Sequence, residues 1–180
     1  LKEIDSNIFS SNVEWFHVSG IPPAISEKSC ALLMEVLNAL SAETKVSVDL
    51  NYRGKLWNWL REDSKKNVHK IMKEICARAF LITGNETDFQ DSLGYDLNSE
   101  GQHSEIGKRA FREFKNLEYI GISQRQSHSA SVNTWSGLLL CKIKDTIKAS
   151  FSRKYEISDI VDRVGTGDSF TAGIIHGLLN

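Results

Sequence analysis

Near the end of the chain stands Val161-Asp162-Arg163-Val164-Gly165-Thr166-Gly167-Asp168-Ser169-Phe170-Thr171-Ala172-Gly173-Ile174-Ile175. A glycine-rich turn with one acid inside it runs directly into a nearly all-apolar segment. Gly165 and Gly167 let the backbone bend and leave room for an oxyanion to approach. A helix over Asp168–Leu179 would turn its free N–H groups toward that bend, which makes an anion site at a helix N-terminus. Asp168 would sit beside it, where the helix dipole favours the ionised form. An anion hole with an adjacent carboxylate suits phosphoryl transfer to an alcohol. Gly165, Thr166 and Gly167 form the hole that holds the transferring group, and Asp168 takes the hydroxyl proton. The same residues also fit an ordinary turn in which Asp168 is a dipole-matching cap.

Two phosphate-loop templates fail. Gly101-Gln102-His103-Ser104-Glu105-Ile106-Gly107-Lys108-Arg109 has five residues between its glycines, puts Arg after the lysine and follows a polar stretch, so it is not a Walker A loop. Gly165-Thr166-Gly167-Asp168-Ser169-Phe170 ends in Phe and has no βαβ unit after it, so it is not a dinucleotide fingerprint.

The elements that must position this turn alternate along 180 residues, enough for one domain with a real core. Val13–Ile21 reads as a strand with a hard stop at Gly-Ile-Pro-Pro. Ser26–Leu40 is helical, with Ser26 as N-cap and Leu33, Val36, Leu37 and Leu40 on one face. Lys45–Asn51 is a strand, 64–77 a helix, Ala79–Gly84 a strand. Asp91–Ser104 is polar, a loop or weak helix. Ile106, Ala110, Phe111 and Phe114 mark a third helix, and Leu117–Ser123 and Trp135–Ile143 are further strands, the last half exposed. The closing helix, with Phe170, Ile174, Ile175, Leu178 and Leu179, has almost no polar face and is expected to be buried. This order predicts an α/β fold: a mainly parallel sheet with helices on both faces and the ligand site at the carboxyl ends of the strands.

Lys+Arg at 22 against Asp+Glu at 23 argues against a nucleic-acid surface and supplies no polybasic block for a membrane. No apolar run reaches a membrane span, and Leu1-Lys2-Glu3-Ile4-Asp5 is not a signal peptide. Cys30, Cys76 and Cys141 are far apart and odd in number, which points to a reducing cytoplasm. His17, His69, His103, His128 and His176 share no ligand spacing and read as structural or exposed.

The stretch Asp162-Arg163-Val164-Gly165-Thr166-Gly167-Asp168-Ser169-Phe170-Thr171-Ala172-Gly173 resembles the C-terminal signature of the ribokinase-like (PfkB) carbohydrate kinases, roughly D-x-x-G-A/T-G-D-x-F-x-A-G. The resemblance implies a three-layer ribokinase-like fold, with the turn as anion hole and Asp168 as catalytic base. Asp49-Leu50-Asn51-Tyr52-Arg53 with Leu56-Trp57 resembles the D-x-N-x-R…LW segment of the 2-keto-3-deoxygluconate kinase subgroup. It implies Arg53 at the substrate site, where a guanidinium fork suits a carboxylate or phosphate, with Asn51 near the nucleotide phosphates and Tyr52 and Trp57 packing. A surface salt bridge is the plainer reading of Arg53. Asn85-Glu86-Thr87-Asp88 resembles the family's N-x-x-E motif. It implies that Asn85 and either Glu86 or Asp88 order the magnesium region through water; a helix cap accounts for the same residues. Asp88 departs from the motif by one methylene. Ser123 and Arg125 fall where the family presents nucleotide-phosphate contacts, though Arg125 also reads as a solvated arginine. Ser129–Trp135 resembles the same subgroup.

Residues 1–180 are therefore expected to be the core part of a single ribokinase-like kinase domain, without the N-terminal lid region and the adenine-side end of the family. The implied function is ATP- and Mg²⁺-dependent phosphorylation of a sugar-acid hydroxyl, foremost that of 2-keto-3-deoxygluconate. The expected partners are ATP and the small sugar acid, with no nucleic acid and no membrane; a homo-oligomer is compatible with them. A fructokinase-like enzyme for a neutral sugar, or a non-catalytic nucleotide- or sugar-binding module, are the alternatives.

Overall fold

The structure is a computed structural model that describes residues 13–60, 64–97, 101–129, 132–162 and 164–180. Leu1–Asp5, Asn98–Glu100 of the polar stretch, Ala130 and Ser131 of the Ser129–Trp135 segment and Arg163 of the glycine-rich stretch lie outside the described residues.

Four strands form the parallel half of one sheet: β1 (Trp15–Ser19), β2 (Lys45–Asp49), β3 (Leu81–Gly84) and β4 (Tyr119–Ser127) pair side by side in that order. Each passage to the next strand carries helix. After β1 come α1 (Ile21–Ile25) and α2 (Glu27–Ala39). After β2 come a 3₁₀ turn (Gly54–Trp59) and α3 (Ser64–Cys76). After β3 come α4 (Glu86–Leu93) and α5 (Gln102–Glu113). The central strands are apolar because both their faces are covered; Val46, Val48, Leu81 and Ile82 are fully buried. Ser26 caps α2 as expected, its Oγ accepting the Ser29 N–H at 3.2 Å. The two prolines do not simply stop the chain. They occupy the first turn of α1, where a missing N–H leaves no hydrogen bond unmade.

The expectation of a mainly parallel sheet holds for this half and gives way in the other. β5 (Asn133–Ile143) runs antiparallel to β4, and β6 (Thr146–Phe151) and β7 (Tyr155–Ile157) both pair antiparallel with β5. The connection from β4 to β5 is too short for the crossover that a parallel neighbour requires. The sequence does display a period-2 signal for β6, with Ile147, Ala149 and Phe151 alternating with polar residues.

Helices cover both faces. Val48, Ile82, Ile120 and Leu140 are cross-strand neighbours, buried with Met72 and Ile75 of α3, Phe89 of α4 and Ile106 of α5. On the other face the row Ser19, Asp49, Thr83, Gly121 carries small or polar residues. There α6 (Thr166–Leu179) is seated. Thr171 shares a buried 2.8 Å hydrogen bond with Thr83. A Cβ on Gly121 would stand 2.5 Å from Ile174 Cδ1, and one on Gly137 2.7 Å from Phe170 Cε2. The bare backbone at these two positions lets α6 approach.

The expectation that α6 is buried is not met. Thr171 is its one buried residue, and Leu179 is 53% exposed. Among the described residues one side of the helix rests on the sheet and nothing covers the other. Among the described residues, too, no helix is long and apolar enough to cross a membrane.

Two glycine substitutions should rank by what obstructs them. Gly121→Ala meets the flexible tip of Ile174 and is expected to cost about 1–3 kcal/mol. Gly20→Ala drives its Cβ into the Leu50 carbonyl, which is backbone, and is expected to cost at least as much as the top of that range. Urea denaturation midpoints check this; the reverse order would mean that the end of β2 yields more readily than α6.

Candidate active site

The glycine turn is built by local chemistry. Asp162 Oδ1 accepts the Val164 N–H at 2.9 Å, and Gly165 follows in a left-handed conformation with φ 81°, where any other side chain is strained. The Ser169 N–H reaches the Gly165 carbonyl at 2.9 Å and starts α6. Gly165 has no side chain to cap the helix. Thr166 and Gly167 form the first turn, followed by Asp168, the acid of that turn. Because Thr171 is tied to Thr83 near the end of β3, this turn lies at the carboxyl ends of the parallel strands.

Three carboxylates gather there. Asp49 ends β2 and is 5% exposed. Its Oδ2 lies 3.8 Å from where a Gly167 Cβ would stand. Burial pushes its pKa up to about 6, helped by the charges of Asp88 and Asp168 and opposed by the Asn51 N–H and by Arg53. Asp88 is also shifted upward, first by burial; the N–H groups of Asn85 and Tyr52 and the Arg53 charge oppose the shift. His17, in the middle of β1, bonds Ser47 Oγ at 2.8 Å. Desolvation lowers its pKa against the opposing pull of Asp168. A cleft of about 690 Å³ opens between β1, α2 and α6, with Asp168, His17 and Ser19 among its polar lining.

The turn after β2 carries Asn51, Tyr52 and Arg53. Asn51 is left-handed at φ 35°, which its side chain tolerates better than most. Arg53 is exposed, and its guanidinium donates to the Tyr52 carbonyl at 2.8 Å. Trp57 packs, 3% exposed and 6.2 Å from the Trp59 ring. At the start of α4, Asn85 and Asp88 form a reciprocal capping box, so the cap reading of these residues is realised in the geometry. Glu86 turns elsewhere and bonds His103 Nε2 at 2.7 Å. It lines a second cleft of about 240 Å³ with Gln124, Arg125, Ser136 and Lys154. Arg125 is exposed; Ser123 is half-buried opposite Gly137. The fold thus brings Asp168, the glycine turn, Arg53 and Asp88 to one place and sets Glu86 with Arg125 beside a second.

No family model matches the chain. A solved 2-dehydro-3-deoxygluconokinase from Thermotoga maritima matches with a TM-score of 0.83 at 32% identity, covering 99% of this chain and 52% of that one. A solved PfkB family carbohydrate kinase from Listeria grayi matches with a TM-score of 0.82 at 24% identity, covering 98% of this chain and 51% of that one. The chain has the ribokinase-like fold of the PfkB carbohydrate kinases. A curated 2-dehydro-3-deoxygalactonokinase from Haloferax volcanii is 23% identical over 165 residues, 91% of this chain and 44% of that protein. The chain spans about half the length of these relatives.

Within this site, sequence reasoning missed Asp49 and His17 as neighbours of Asp168. Asp49 had a signal: a carboxylate closing an otherwise apolar strand at the end where ligands bind. His17 had none, since its nearness to Asp168 comes from strand order.

The raised pKa of Asp49 predicts a pH dependence. Unfolded, the carboxyl titrates near its ordinary 3.8; folded, near 6. Between these values the folded state binds more protons, so stability falls as pH rises through the window. Asp49→Asn should match the wild type near pH 4 and exceed it near pH 7, by about 1 kcal/mol or more. Asp88 leaves a residual slope of the same sign. Urea denaturation across this range reads the effect; parallel curves for the two proteins would assign the slope to another group.

Proposed function

We propose that this chain is the core part of a single kinase domain that transfers the γ-phosphoryl group of ATP to a hydroxyl of a small sugar acid. 2-Keto-3-deoxygluconate is the favoured substrate, and the cytoplasm is the favoured compartment. One observation carries the reading. A carboxylate, Asp168, stands in the first turn of a helix that no side chain caps, directly after a left-handed glycine, at the carboxyl ends of parallel strands. The likeness to kinases of 2-keto-3-deoxy sugar acids supports the substrate class.

In this reading the backbone N–H groups of Gly165, Thr166 and Gly167 cradle the transferring phosphoryl group. Asp168 holds the substrate hydroxyl and accepts its proton. The hydroxyl oxygen bonds to the γ-phosphorus as the bond from that phosphorus to the bridging oxygen breaks, and ADP leaves. Arg53 releases the Tyr52 carbonyl and pairs with the sugar-acid carboxylate. Asn51, Ser123 and Arg125 face the nucleotide phosphates.

Among the described residues no cluster of three or more His, Cys, Asp or Glu side chains could hold a metal directly. The oxygen donors at the start of α4 suit instead a Mg²⁺ that keeps its waters, ordered through them by Asn85 with Glu86 or Asp88. When bound, such an ion neutralises phosphate charge.

Asp168→Asn in the full-length protein should cut kcat by roughly 10²–10⁴-fold. The lower end is favoured, because a loose transition state needs little early proton removal. ATP Kd should barely move, since the amide becomes no obstacle to the backbone N–H groups. Near-normal kcat in this variant would reduce Asp168 to a helix cap.

Arg53→Ala should raise KM for the sugar acid far more than for ATP, by about 2–5 kcal/mol if the pair is well desolvated. Loss of ATP affinity with sugar-acid affinity intact would make Arg53 a phosphate ligand and return the substrate to the neutral sugars.

A further inference from the structure

We infer that Asp88 is a positioning residue for Arg53, its carboxylate tying the turn that presents the guanidinium to the start of α4. The inference rests on the reading of Arg53 as the sugar-acid ligand.

Both oxygens of Asp88 are engaged by backbone N–H groups, and the two come from different loops. Oδ1 accepts from Tyr52 at 3.1 Å, and Oδ2 accepts from Asn85 at 2.9 Å. The Asn85 side chain returns a bond from its own oxygen to the Asp88 N–H at 2.9 Å. A capping box needs only the Asn85 half of this arrangement. The Tyr52 half spans 36 residues of sequence and lands one residue before Arg53.

The neighbouring Asn51 N–H also favours the charged form of Asp49. Successive amides of the turn therefore lie near carboxylates from two separate elements. That matters because Asn51 sits at φ 35°, a conformation that persists only where its surroundings impose it. Arg53 then donates to the Tyr52 carbonyl at 2.8 Å, the far side of the residue that Asp88 holds.

The geometry also accounts for aspartate at a position where a longer acid would be expected. A Cβ on Gly84 would stand 3.1 Å from Asp88 Cβ and 3.4 Å from its Oδ2. The side chain already lies against the end of β3, and a further methylene would push the carboxylate out of register with both N–H groups.

The test is a double-mutant cycle on the full-length protein with Asp88→Asn, Arg53→Ala and the pair. Asparagine keeps the shape but offers one accepting oxygen in place of two. Asp88→Asn is expected to raise KM for 2-keto-3-deoxygluconate by roughly 10- to 100-fold, the scale of a small misplacement of a binding group. In the Arg53→Ala background the same substitution should add less than about twofold, because residues that act through one another are not additive. Asp88→Glu, which keeps the charge, should behave like Asp88→Asn. An unchanged sugar-acid KM in Asp88→Asn, or an undiminished effect in the Arg53→Ala background, would overturn the inference.

Amide hydrogen exchange separates this from the functional reading. In Asp88→Asn the Tyr52 and Asn85 amides should lose protection together while the core strands keep theirs. Loss confined to one of the two loops would overturn the tie. Joint loss in a protein that phosphorylates no sugar acid would keep the tie and remove the substrate.

Discussion

The site depends on one buried hydrogen bond, between Thr171 and Thr83 at 2.8 Å. Breaking it would leave a hydroxyl without a partner inside the protein, at a cost of about 1–3 kcal/mol. That penalty sets the rotation and height of α6 on the sheet. Gly121 and Gly137 then admit Phe170 and Ile174 at close range, so that the helix has one seat. Asp168 lies three residues before Thr171 and takes its position from that seat. The helix that brings the acid to the strand ends is held by a polar pair and by Phe170 and Ile174 packed against two bare glycines.

Around that acid the fold concentrates negative charge. Burial raises the pKa of both Asp49 and Asp88, and the charges of Asp88 and Asp168 add to the shift at Asp49. Such an arrangement lowers stability, and a domain built for stability alone would replace the carboxylates. Three things offset the cost: backbone N–H groups aimed at the oxygens, the Arg53 guanidinium, and the dipole of α6. All three are also what an anionic substrate or a phosphate would meet on arrival. The groups that make the unliganded site tolerable are the groups that would bind the ligand.

The parallel and antiparallel halves of the sheet divide the labour. The parallel strands run together, so His17 within β1 and Asp49 at the end of β2 come near Asp168 of α6, while the turn after β2 and the start of α4 bring Arg53 and Asp88 beside Asp49. The β4–β5 pair carries the second cleft, which Arg125 and Lys154 line together with Glu86.

The sequence by itself determined the parallel core and the glycine turn. Apolar runs such as Val46–Val48 and Leu81–Ile82, separated by capped amphipathic helices, admit few other folds. Gly165 before an acid and an apolar run specifies a helix start, because only glycine adopts the left-handed backbone there without strain. The pairing of β5 with β4 was less legible, since direction follows from connection length and not from residue type. Tertiary structure alone decided the rest. It turned Glu86 toward His103 and Asp88 toward Tyr52, because those partners lie 17 and 36 residues away. It raised Asp49 to about 6, because a pKa is set by the charges and the water around a group. Those surroundings exist only once strands distant in sequence have closed over the group.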